Sequence, residues 1–125
     1  MNKALIELVL PRLARRLHSQ LERYQTGELD QDGFTRGFET LLQRQYAWLA
    51  RRGVPEAEAA VAIHAAVLVL SGPGLRAEAE HLGLPLEVIE YRAIRAAAAD
   101  IVASYKISPD RAFRQIAAIL THYGE

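Results

Sequence analysis

The chain has no cysteine in 125 residues. That single absence excludes disulfides, thiolate nucleophiles and thiolate zinc sites. It suits a reducing compartment, so a cytoplasmic protein is expected. Net charge is missing as well, because 15 basic residues cancel 15 acidic ones. No global field draws such a chain to nucleic acid or to an anionic membrane. Lysine is scarce: Lys3 and Lys106 stand among arginines. With its many alanines, that bias matches GC-rich coding and reads as bacterial. Long apolar runs are absent too. The longest, Ala59–Leu70, spans twelve residues and contains His64, whereas a spanning helix needs about 20. The stretch Ala4–Leu10 is broken by Glu7 and followed by Pro11 and three arginines before Leu17, so neither a secretory leader nor a transmembrane segment is expected.

What is present is helical periodicity. Ile6, Leu10, Leu13, Leu17, Leu21 and Tyr24 recur three or four apart and make one apolar stripe over about 3–25. Pro11 lies inside it and either kinks one helix or opens a second. Gly27 is the expected stop. Asp30 then has the position of an N-cap, with Leu29 and Phe34 placed for a hydrophobic staple. Phe34, Phe38, Leu41, Leu42, Tyr46 and Leu49 mark the buried side of a second helix ending at Gly53. Pro55 opens a third, and between Ala57 and Leu70 only Glu58 and His64 are polar. A helix apolar all round belongs at the centre of a fold, so 57–70 is the expected central and most buried helix.

Gly72-Pro73-Gly74 fits a type II turn, followed by a short helix over about 75–82 that ends at Gly83. Pro85 opens another over about 85–105, with Leu86, Ile89, Ala93, Ala97 and Ile101 inward. Ser108 and Pro109 begin the last, whose buried stripe is Phe113, Ile116, Ala117 and Leu120. The connections are short and no strand-like alternation, repeat or low-complexity tract occurs. The expectation is an all-α, compact, single-domain bundle of about six helices, covering residues 1–125.

Motifs with chemical meaning are few. Glu28, Asp30, Asp32, Gly33 and the more distant Glu39 resemble a calcium-binding EF-hand loop, with acids at alternate positions before a glycine. The first ligand position carries glutamate, Thr35 stands where an aliphatic residue belongs, and Thr40 and Gln43 occupy apolar positions of the exit helix. Capping of a helix start already accounts for Asp30 and Asp32, so no metal site is expected. Residues 75–95 resemble a helix-turn-helix in the spacing of Ala79, Gly83 and Ile89, with Leu82 and Leu84 also fitting. Glu78 and Arg92 fall at its apolar positions, and Glu87 and Glu90 offset Arg92 and Arg95 where a recognition helix carries positive surplus.

The first helix bears Lys3, Arg12, Arg15, Arg16 and Arg23 against Glu7 and Glu22, which reads as a solvated face opposite a buried stripe. His18, His64, His81 and His122 include no pair at i, i+4. His64, among alanine and valine, reads as a core histidine bonded to a backbone carbonyl. Ser71, Ser104 and Ser108 lack a base partner in sequence, and no glycine-rich phosphate cradle follows a strand. No catalytic residue and no cofactor is expected. Gly33 and Gly37 lie four apart beside Phe34 and Phe38, and such glycines each cost about 1 kcal/mol in a helix. A close helix–helix contact is the expected compensation. The functional expectation is a non-enzymatic interaction or oligomerisation domain with a protein partner or a second copy. A small DNA-binding regulator built on 75–95 is the alternative.

Overall fold

The computed structural model describes the backbone of residues 3–123 and the side-chain surroundings of residues 5–121. The side chains of Lys3 and His122, named above, lie outside the described residues. Six helices follow in order: α1 Lys3–Gln25, α2 Gln31–Arg51, α3 Glu56–Leu70, α4 Gly72–Leu82, α5 Leu86–Ser104 and α6 Pro109–Tyr123. The fold is an all-α bundle, with no strand among the described residues. No single helix among them is long and apolar enough to cross a membrane.

Helix α3 is the centre. It packs against each of the other five helices, and Ala59, Ala60, Val61, Ala62, Ile63, Ala65 and Ala66 are buried. Small side chains on every face let five neighbours approach one axis. Its last turn is less enclosed, since Val67 through Leu70 are only half-buried. Around it, one core joins Leu5, Ile6, Val9 and Leu13 of α1, Leu41 and Leu49 of α2, Ile94 and Ile101 of α5, and Ile116 and Ile119 of α6.

The breaks follow local chemistry. Asp30 caps α2, its Oδ1 accepting from the Gly33 N–H at 2.7 Å. Ser108 caps α6 by accepting from the Arg111 N–H at 3.2 Å. At Gly83, which has φ +68°, the Gly83 N–H reaches the Glu80 carbonyl and the Leu84 N–H the Ala79 carbonyl. These two bonds make a Schellman stop, which needs a left-handed residue that glycine supplies without a Cβ penalty.

Two expectations need correction, and one pair of alternatives is decided. Gly72-Pro73-Gly74 is not a type II turn but the first turn of α4, with Pro73 at a position where no donor is needed. Ser71 alone separates α3 from α4, which are bent by 58°. Its hydroxyl donates back to the Val67 carbonyl at 2.7 Å. Of the two alternatives at Pro11, the single helix is the one found: α1 runs through Pro11, which is exposed. Finally, the apolar stripe of α1 outlasts the core. Leu21 and Tyr24 are exposed, and no residue between 14 and 40 is buried. The end of α1 and the start of α2 therefore form a two-helix arm beyond the core.

Candidate docking face

Helix α5 carries two apolar lines. One, through Ile89, Ile94, Ala97, Ala98 and Ile101, is buried. The other begins before the helix and faces outward: Leu84 is 39% exposed, Val88 40% and Tyr91 49%, and Leu82 at the end of α4 is 49%. In the α5 frame, Val88, Tyr91, Arg95, Ala98 and Val102 fall three or four apart, so they share one side of the helix.

On that side a groove of about 480 Å³ runs between α5 and α6. Ala98, Ala99 and Ala103 line it together with Phe113, and Tyr91 and Arg95 stand at the same groove. The Tyr91 and Phe113 rings meet at 5.4 Å between centroids. The Arg95 guanidinium donates to the Tyr91 hydroxyl at 3.1 Å. Small side chains make the groove, and aromatic ones wall it, which is the shape that accepts apolar side chains from another helix.

The residues that suggested a helix-turn-helix are all here. Ala79 and Ile89 are buried, and Gly83 makes the turn. Glu78 and Arg92 do not enter the core; both are exposed and border a 220 Å³ cleft with Leu75, Ile89 and Ala93. The outward apolar line was the feature missed in sequence. Its signal was Val88 and Tyr91, apolar residues off the inward stripe.

Other singled-out residues lie elsewhere. Glu28 pairs with Arg23 at 3.0 Å, Asp30 is a cap, and Gly33 through Glu39 are helical, so the EF-hand-like residues do not form a loop. Among the described residues no three histidine, aspartate or glutamate side chains converge as metal ligands. His64 is half-buried and its Nδ1 lies 2.8 Å from the Ala60 carbonyl.

The two glycines divide. A Cβ on Gly37 would stand 3.0 Å from Gln20 Oε1, so the close neighbour is α1 of the same chain. A Cβ on Gly33 would meet only its own cap, Asp30 and Leu29, so the shared-face expectation holds for one glycine and fails for the other. Arg12 is no solvated cation: its guanidinium lies 4.0 Å from the Trp48 ring centroid, with Arg52 at 4.4 Å. Comparison with known proteins adds no relative: no family model, curated protein or solved structure matches this chain.

Proposed function

We propose that the chain is a non-enzymatic association domain whose α5 face docks against a second copy of itself. The supporting observation is the outward apolar line Leu84, Val88 and Tyr91, which runs into the alanine-lined groove. Exposed apolar area of this kind is stabilised by removal from water, at about 25 cal/mol per Å².

A second copy is favoured by the charges on that face. Glu87 and Arg95 stand four residues before and four after Tyr91. A two-fold axis at Tyr91, with the two α5 helices antiparallel, sets each Glu87 against the partner's Arg95. The same operation carries each Leu84 towards the other copy's Ala98 and Ala99. Such an isologous contact satisfies both copies at once.

Sedimentation over protein concentrations from micromolar to about 1 mM tests this. The wild type should dimerise, and Tyr91→Lys should leave a folded monomer. Glu87→Arg and Arg95→Glu should each weaken the dimer severalfold, and the double exchange should restore it, because it regenerates opposite charges across the axis. A wild type that stays monomeric throughout, or a double exchange no better than either single change, overturns the reading.

A DNA-binding regulator is the second reading, supported by the burial of Ala79 and Ile89 around the left-handed Gly83. It requires a steep salt dependence of duplex binding that is lost on replacing Arg92 and Arg95 with alanine.

A further inference from the structure

The groove between α5 and α6 has room for more than a docking side chain. Its volume of about 480 Å³ falls in the range of small-molecule sites, and one leucine from a second copy fills only part of it. Alanines line it, and the Tyr91 and Phe113 rings wall it. Side-chain polarity is confined to the Tyr91 hydroxyl, Arg95 and Asp110.

A separate observation concerns the state of Arg95. Its guanidinium donates to the Tyr91 hydroxyl at 3.1 Å and lies 5.7 Å from the centroid of the same ring. Both contacts orient the cation at the groove. Neither cancels its charge, because a phenol and a ring face carry no formal charge. No carboxylate among the described residues comes within ion-pair distance of it, Asp110 of the facing helix included. A guanidinium offers paired donors that a carboxylate accepts two at a time. An apolar groove beside an oriented cation without a counter-ion is complementary to a molecule with one carboxylate and an apolar tail.

We infer that the α5–α6 groove binds an amphiphilic monocarboxylate, its carboxylate on Arg95 and its tail against Ala99 and Phe113, and that the bound molecule keeps the chain monomeric. The binding half stands on the groove alone. The regulatory half rests on the reading of α5 as a self-docking face, where the second copy's Glu87 and Leu84 claim the same cation and the same alanines. Those two residues are three apart and share one side of their helix. They present a carboxylate beside an isobutyl group, which is the ligand's chemistry in protein form.

Octanoate, octanol and octylammonium, each kept below its micelle concentration, are the probes, titrated against the full chain and followed by amide chemical shifts. Octanoate should saturate and move amides of 91–103 and 109–113. Octanol should bind more weakly, and octylammonium more weakly still. Arg95→Gln should weaken octanoate about tenfold, as loss of a charged hydrogen bond does, and bring it level with octanol. Arg92→Gln, on the same helix but outside the groove, should change nothing. Asp110→Asn should tighten octanoate, by removing a repelling charge, and leave octanol unchanged. Ala99→Leu, at an exposed position where leucine suits a helix, should fill the groove and block octanoate and octanol alike. Shifts that never saturate, or that survive both Arg95→Gln and Ala99→Leu, overturn the site. Sedimentation then separates the two halves. At a protein concentration where the wild type is half dimer, octanoate should lower the dimer fraction, and a fraction that stays constant while octanoate saturates overturns the regulation alone. If the wild type never dimerises, the self-docking reading and the regulation fall together, while saturable octanoate binding that depends on Arg95 still upholds the site.

Discussion

Gln45 is the residue most at odds with its surroundings. It sits on the buried side of α2 between Leu41 and Leu49, fully enclosed, and neither amide atom has a hydrogen-bond partner. A buried polar group without a partner costs on the order of 1–3 kcal/mol, and an apolar replacement of like shape removes that cost. Methionine matches glutamine in length and lack of branching, and adapts to irregular space. Gln45→Met should therefore raise the melting temperature by several degrees; a fall would mean that the amide has a partner worth more than its desolvation. Tyr46, next to it, gives a pH signature. Burial, and secondly the neighbouring charge of Tyr105, push its pKa from 10.0 up to about 12. The folded state thus holds this proton more tightly than the unfolded chain, where tyrosine ionises near 10. The stability tied to the neutral ring is complete below pH 10 and is lost as pH rises through 12. Two lysines and four other tyrosines also titrate near that window, so the contribution of Tyr46 is read from the difference against Tyr46→Phe. Melting temperatures of wild type and Tyr46→Phe should diverge there, the wild type falling more steeply; parallel curves would reject the shift.

At the scale of elements, helix starts and stops were legible wherever one residue's own chemistry decides them. Asp30, Ser108, Gly27, Gly53 and Gly83 all act as their types suggest. The segment Gly72-Pro73-Gly74 is ambiguous in sequence because proline and glycine signal a turn and a helix start equally well. Proline is at home in a first helical turn, and a glycine after it need not have positive φ. Here neither Gly72 nor Gly74 does. The two readings make opposite predictions for Gly74→Ala. In a type II turn alanine would be strained. In α4, a Cβ on Gly74 meets nothing within 4 Å, so the change should stabilise by roughly 0.5–1 kcal/mol through helix propensity and reduced freedom of the unfolded chain. Denaturant melts give the sign, and a loss of stability would mean that the first turn of α4 is not helical in solution. The docking face was legible only in part. Periodicity identifies apolar lines on a helix but not which line finds a neighbour. On α5 the expected inward line holds at Ile89, Ala97 and Ile101, but Leu86 and Ala93 are only half-buried and Ile94 and Ala98 are buried in addition, while the outward Leu84, Val88 and Tyr91 take on meaning only from the position of α6.

For the whole molecule, periodicity overstated the core in one direction. The stripe of α1 continues through Leu21 and Tyr24, yet α3 is 15 residues long against 23 for α1. At 1.5 Å per residue the central helix ends about 12 Å short. Past that point α1 and α2 have only each other. Tyr24 packs on Phe34 at 5.2 Å between centroids, Phe34 on Phe38 at 6.5 Å, and Gln20 bonds across to Gly37. These contacts are half-exposed, and few apolar atoms are lost to water when they open. Opening free energy tracks buried contact density, so stability should be graded along the molecule. Amide hydrogen exchange should find residues 59–66 of α3 protected to the level of global unfolding, whereas amides in 18–25 and 34–40 should exchange through a smaller, local opening. Denaturant separates the two processes, since global opening accelerates with denaturant in proportion to the surface exposed and local opening barely responds. Arm amides that respond as steeply as those of α3 would mean that the arm and the core unfold as one unit.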